Sequence, residues 1–131
     1  MFINAVKYEI TMGVLEGYEF DDIADLDPLI WTALDKWKEI ALEYYTITGV
    51  YISSVAIECD ALYNEEWGCP RFGEPIVRFD CTMNPEFVKD EKVYEEGILY
   101  ISKKLKEFFK QTTVNITKLP ATVCYLKNEE N

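Results

Sequence analysis

Polar and apolar residues alternate along Ala5–Met12, with Val6, Tyr8, Ile10 and Met12 on one face and Lys7, Glu9 and Thr11 on the other. A period of two describes a half-buried β-strand. Beyond Asp27-Pro28 the period changes. That pair offers a capping carboxylate and a proline at the first helical position. Ile30, Ala33, Leu34, Trp37, Ile40, Ala41 and Tyr44 then recur at spacings of three and four, which predicts an amphipathic helix to about Tyr45. Alternation returns over Tyr51–Asp60, where Val55, Ile57 and Cys59 oppose Ser54, Ala56 and Glu58. It returns again over Pro75–Thr82, with Val77, Phe79 and Cys81 inward and Arg78 and Asp80 outward. The Gly- and Pro-rich stretch from Asn64 to Gly73 lies between them, so the two strands form a hairpin with an elaborated tip.

A second helix is predicted from near Asp90, with Tyr94, Ile98, Ile101, Leu105 and Phe108 in its apolar stripe. Glu91, Glu95 and Glu96 gather at its start and Lys103, Lys104, Lys106 and Lys110 at its end, which suits the helix dipole. Thr113–Thr117 and Ala121–Leu126 are strand-like, and Pro120 between them predicts a bend or an edge position. The resulting β-α-β-β-α-β order predicts a single α+β domain over residues 1–131. Its architecture is ferredoxin-like, a four-stranded sheet with two helices packed on one face.

Composition narrows the function. Apolar residues form 49% of the 131-residue chain and aromatic residues 15%, enough for an ordered core. A net charge of −11 disfavours direct nucleic-acid binding and anionic membrane surfaces, and favours a protein partner with a basic surface. No apolar run approaches the ~20 residues of a membrane span, and the N-terminus lacks the pattern of a secretion signal, so a cytoplasmic location is expected. Cys59, Cys69, Cys81 and Cys124 are then expected as free thiols, Cys59 and Cys81 in the core and Cys69 more exposed. Arg71 and Arg78 are the only arginines among 13 basic residues, a bias typical of an AT-rich bacterial or phage genome.

The chain contains no histidine, which removes the commonest general base and most zinc sites. The cysteines form no Cys-x-x-Cys pair, and no Gly-rich phosphate loop is present. No cofactor and no metal are expected. The acidic run Asp21–Asp27 lacks the ligand order of an EF-hand and is expected as a solvated loop and helix cap. Two groups of residues remain as candidates. Tyr63, Glu65, Glu66, Trp67, Arg71 and Phe72 place interaction-prone side chains on one loop, the expected partner-binding site. Glu9, Glu58, Arg78 and Asp80, with Lys7 and Asp60, are expected together on the helix-free face of the sheet. The leading expectation is a non-catalytic acidic binding protein that inhibits or neutralises a macromolecule, as immunity proteins and phage counter-defence proteins do. The alternatives are a homo-oligomer binding a nucleotide-like small molecule, and a carboxylate- or metal-dependent enzyme using Glu9, Glu58 and Asp80.

Overall fold

The computed structural model describes residues 1–15 and 27–128, Asp27 by its backbone alone. The acidic run expected before the first helix, and its cap, lie outside the described residues. Strand β1 (Ile3–Gly13) leads to helix α1 (Asp27–Thr48), strand β2 (Val55–Ala61) and strand β3 (Glu74–Thr82). Helix α2 (Glu91–Phe108) and strand β4 (Asn115–Val123) complete the order. All four strands form one antiparallel sheet in the order β2-β3-β1-β4, the predicted ferredoxin-like arrangement. No helix among the described residues is long and apolar enough to cross a membrane.

The core forms where the two periods meet. Val6, Tyr8, Ile10 and Met12 of β1 and Val77, Phe79 and Cys81 of β3 are buried on one face of the sheet. Against them α1 buries Ile30, Ala33, Trp37, Ile40, Ala41 and Tyr44, and α2 buries Tyr94, Ile98, Ile101 and Leu105. Trp37 stacks on Phe79 with ring centroids 4.5 Å apart and donates its indole N–H to the Ile52 carbonyl at 3.2 Å. Asp90 caps α2 by accepting from the backbone N–H groups of Lys92 and Val93. The α2 stripe ends on buried Phe109, while Phe108 is half exposed, which corrects the expected assignment. The stripe continues from Leu105 by four residues and not by three.

Two further expectations change. Pro120 does not interrupt β4, which runs through it as a single strand opposite β1. As predicted, the strand lies at a sheet edge, where a missing N–H is tolerated. The β2 alternation is real, but its sense is inverted. Glu58 pairs with Val77 and Asp60 with Pro75, so both carboxylates lie on the helix side of this edge strand, where they stay exposed. Val55, Ile57, Cys59 and Ala61 occupy the open face instead. Cys59 therefore stands outside the core that holds Cys81.

Candidate functional site

The open face of the sheet is charged at its centre and concave at one end. At the centre the Lys7 ammonium lies 3.3 Å from Glu9 and 3.9 Å from Asp80. Arg78 donates to both oxygens of the Asp80 carboxylate, at 3.0 and 3.2 Å. The hydrogen bond to Asp80 holds the Arg78 guanidinium above its ordinary pKa. Glu9, Arg78 and Asp80 are thus brought together as expected, with their charges paired, and Glu58 is not. Edge-strand polarity decides the difference: one residue of register moves a side chain to the opposite face.

The concave end is a cleft of about 450 Å³, a size suited to a small organic ligand. Its floor consists of open-face positions from all four strands: Thr11 and Gly13 of β1, Ala61 of β2, Glu74 and Ile76 of β3, and Asn115 of β4. Its walls are the β2–β3 tip, through Leu62, Tyr63 and Trp67, and the turn between α2 and β4, from Lys110 to Thr113. The tip is held by a single 3₁₀ turn at Glu65–Trp67. Asn64 caps this turn by accepting from the Glu66 N–H at 2.9 Å, and Gly68, at φ 103°, closes it. That left-handed conformation is open to glycine with little strain. The Cys69 thiol sits inside the tip and accepts from the Tyr63 backbone N–H at 3.4 Å.

Glu74 is the carboxylate that lines this cleft, beside the titratable side chains of Tyr63 and Lys110. The pairing of Ala61 with Glu74 folds the hairpin so that the Tyr63 hydroxyl donates to the Glu74 carboxylate at 3.4 Å. Burial holds the carboxyl above the ordinary glutamate value of 4.5, and the Tyr63 bond pulls it part of the way back. Gln111 closes the far side. Its amide N–H₂ donates to the carbonyls of Leu15 at 2.7 Å and Phe109 at 3.0 Å. A Cβ at Gly13 would stand 2.6 Å from the Gln111 Oε1 and 3.3 Å from a Glu74 oxygen. The bare glycine is what lets these two acceptors approach the same point on the floor.

Of the residues expected on the loop, Tyr63 and Trp67 line the cleft, whereas Glu65 and Glu66 are exposed on the 3₁₀ turn. Arg71 lies over the Phe72 ring at 5.2 Å, and Phe72 is 83% exposed. Glu74, Gln111, Gly13 and Lys110 were not singled out from the sequence as site residues. Glu74 carries a usable signal, since it opens the strand directly after the aromatic tip. Gln111 carries none, because its partner Leu15 lies 96 residues away. Lys110, expected as a helix-end charge, lines the cleft beyond the end of α2.

The model of one protein family, described as SAM lyase, matches residues 3–127. Two solved structures of similar fold are a phage SAM lyase in complex with S-methyl-5'-thioadenosine and a phage SAM lyase in the apo state. The first is 14% identical, with a TM-score of 0.51 over 95% of this chain and 93% of that one. The second is 13% identical, with a TM-score of 0.52 over 96% and 94%. No curated protein matches significantly. The family match overturns the expectation of a non-catalytic acidic binding protein that inhibits a macromolecule, because the family is one of enzymes. The missing histidines misled. They remove one kind of acid–base group, which does not exclude an enzyme, and the cleft still presents a carboxylate hydrogen-bonded by a phenol.

Proposed function

The chain belongs to the SAM lyase family, and from that premise we propose that it cleaves S-adenosylmethionine, with S-methyl-5'-thioadenosine as one product. The family match over nearly the whole chain is the observation that carries this reading, and the cleft around Glu74, of a size for a small ligand, supports it as the site.

The reaction explains why histidine is dispensable. The bond to break joins a carbon to a sulfonium, and the leaving group departs as a neutral thioether. No proton has to be delivered to it, so the usual call for a general acid disappears. A lyase uses no water, so the displacing group must come from the substrate itself. The substrate's own carboxylate can reach its γ-carbon and close a five-membered lactone. One C–O bond forms, one C–S bond breaks, and the proton count is unchanged. Elimination would instead ask a carboxylate, a weak base even with its pKa raised by burial, to take an unactivated β-hydrogen, so internal displacement is the favoured course.

In this scheme the enzyme's work is to hold and fold the substrate. Ionised Glu74 opposes the positive end of the ligand, and the Tyr63 hydroxyl fixes the carboxylate that does so. Lys110 lines the same cleft and suits the substrate carboxylate. Trp67, 72% exposed beside the cleft, offers an apolar ring to the nucleoside. Incubation of the purified protein with S-adenosylmethionine, followed by mass spectrometry, is expected to release S-methyl-5'-thioadenosine and a lactone with no second substrate. Absence of the thioether at neutral pH would refute the proposal.

A further inference from the structure

We propose that Gln111 is a specificity-determining residue of the cleft, presenting a fixed carbonyl oxygen that makes the site prefer a cationic nucleoside ligand over its neutral thioether counterpart. The inference rests on the functional reading above and concerns how that site tells substrate from product.

The orientation of the amide is settled by its neighbours. The two groups facing the Gln111 nitrogen are the Leu15 and Phe109 carbonyls, which only accept. A flipped amide would set its oxygen against two other oxygens, so the N–H₂ must face them and Oε1 must point away. The direction away is the cleft floor, where Oε1 would lie 2.6 Å from a Cβ on Gly13, beside the Glu74 carboxylate. Two oxygen acceptors thus converge on one point of the cleft floor, one of them ionisable and the other fixed by two hydrogen bonds. Such a pair attracts positive charge and offers nothing to a neutral sulfur. The consequence is directional: the sulfonium is held before cleavage, and the thioether formed from it loses that attraction and leaves.

The test uses two probes with the same adenosine and amino-acid ends. One is the nitrogen analogue of S-adenosylmethionine, in which a protonated tertiary amine replaces the sulfonium and no leaving group exists. The other is S-adenosylhomocysteine, the neutral thioether. Calorimetric titration of the wild-type protein is expected to favour the cation. Gln111→Met, similar in size but without a strong acceptor, is expected to reduce that preference on the order of ten-fold. Gly13→Ala supplies an independent arm, because its methyl displaces Oε1 while leaving the glutamine in the sequence, and it should reduce the preference as well. If Gln111→Met weakens both probes equally, the residue merely anchors Leu15 and Phe109 and the inference is overturned. A wild-type protein that cleaves S-adenosylmethionine yet binds both probes alike overturns the inference alone. One that binds neither probe and releases no thioether overturns the functional reading with it.

Discussion

Glu74→Gln is expected to act on activity and on stability in opposite directions. Glu74 is partly buried, and burial raises its pKa from the ordinary 4.5, so the folded protein resists ionising it. A carboxyl with a raised folded-state pKa supports the fold fully below its unfolded pKa. That support is lost as pH rises through the folded value. At neutral pH the free enzyme therefore carries an ionised group that the fold disfavours, and glutamine removes this cost. Because the side chain is partly solvated, the gain is a fraction of a kcal/mol, a rise of about one or two degrees in Tm. For the reaction the sign reverses. A carboxylate roughly 5 Å from a ligand cation contributes about 3 kcal/mol at an effective dielectric constant near 20. Because the sulfonium has given up part of its charge in the transition state, loss of the carboxylate should lower kcat/KM by roughly ten-fold. The wild-type kcat/KM should also fall on the acid side, with a midpoint above 4.5, and the variant should lose that limb. The assay is release of S-methyl-5'-thioadenosine across pH, paired with thermal melts of both proteins. Near-wild-type kcat/KM in Glu74→Gln, or a lower Tm at neutral pH, would refute the reasoning.

Tyr63→Phe removes the hydroxyl that stabilises the Glu74 anion, so the acid limb of kcat/KM should move to higher pH, with a loss of about two- to five-fold at neutral pH. A limb moving to lower pH would contradict this role. Tyr94→Phe deletes a buried hydroxyl with no hydrogen-bond partner among the described residues, and urea unfolding should show a stability change between about 0 and +1 kcal/mol. A clear destabilisation would mean that the hydroxyl has a partner. Gly97→Ala sets a methyl 2.6 Å from the Tyr44 ring and 2.9 Å from Ile52. Overpacking should outweigh the roughly 1 kcal/mol helix benefit of alanine and leave a net loss of about 1–2 kcal/mol, with an unchanged urea m-value. A neutral result would show that the helix moves aside.

What the sequence determined by itself was periodic. The two-residue alternation of β1 and β3 and the three-and-four stripes of α1 and α2 name the buried side chains Val6 to Met12, Val77 to Cys81, and Trp37 to Tyr44 with few errors. Element order then left the ferredoxin-like arrangement as the natural way to cover one sheet face. The start of α2 near Asp90 and the edge position of Pro120 could be read because helix starts and a missing backbone N–H are local chemistry. Alternation does not, however, state which of its two faces points inward. At edge strand β2 only pairing with β3 decided that, moving Glu58 and Asp60 to the helix side and breaking the expected carboxylate cluster. The cleft belongs entirely to tertiary structure. It brings together Gly13, Tyr63, Glu74 and Gln111 from four separate parts of the chain, and its burial alone gives Glu74 a pKa unlike that of an exposed glutamate. Absence of histidine is a property of the sequence. Whether it matters depends on the charge of the leaving group, which composition does not reveal.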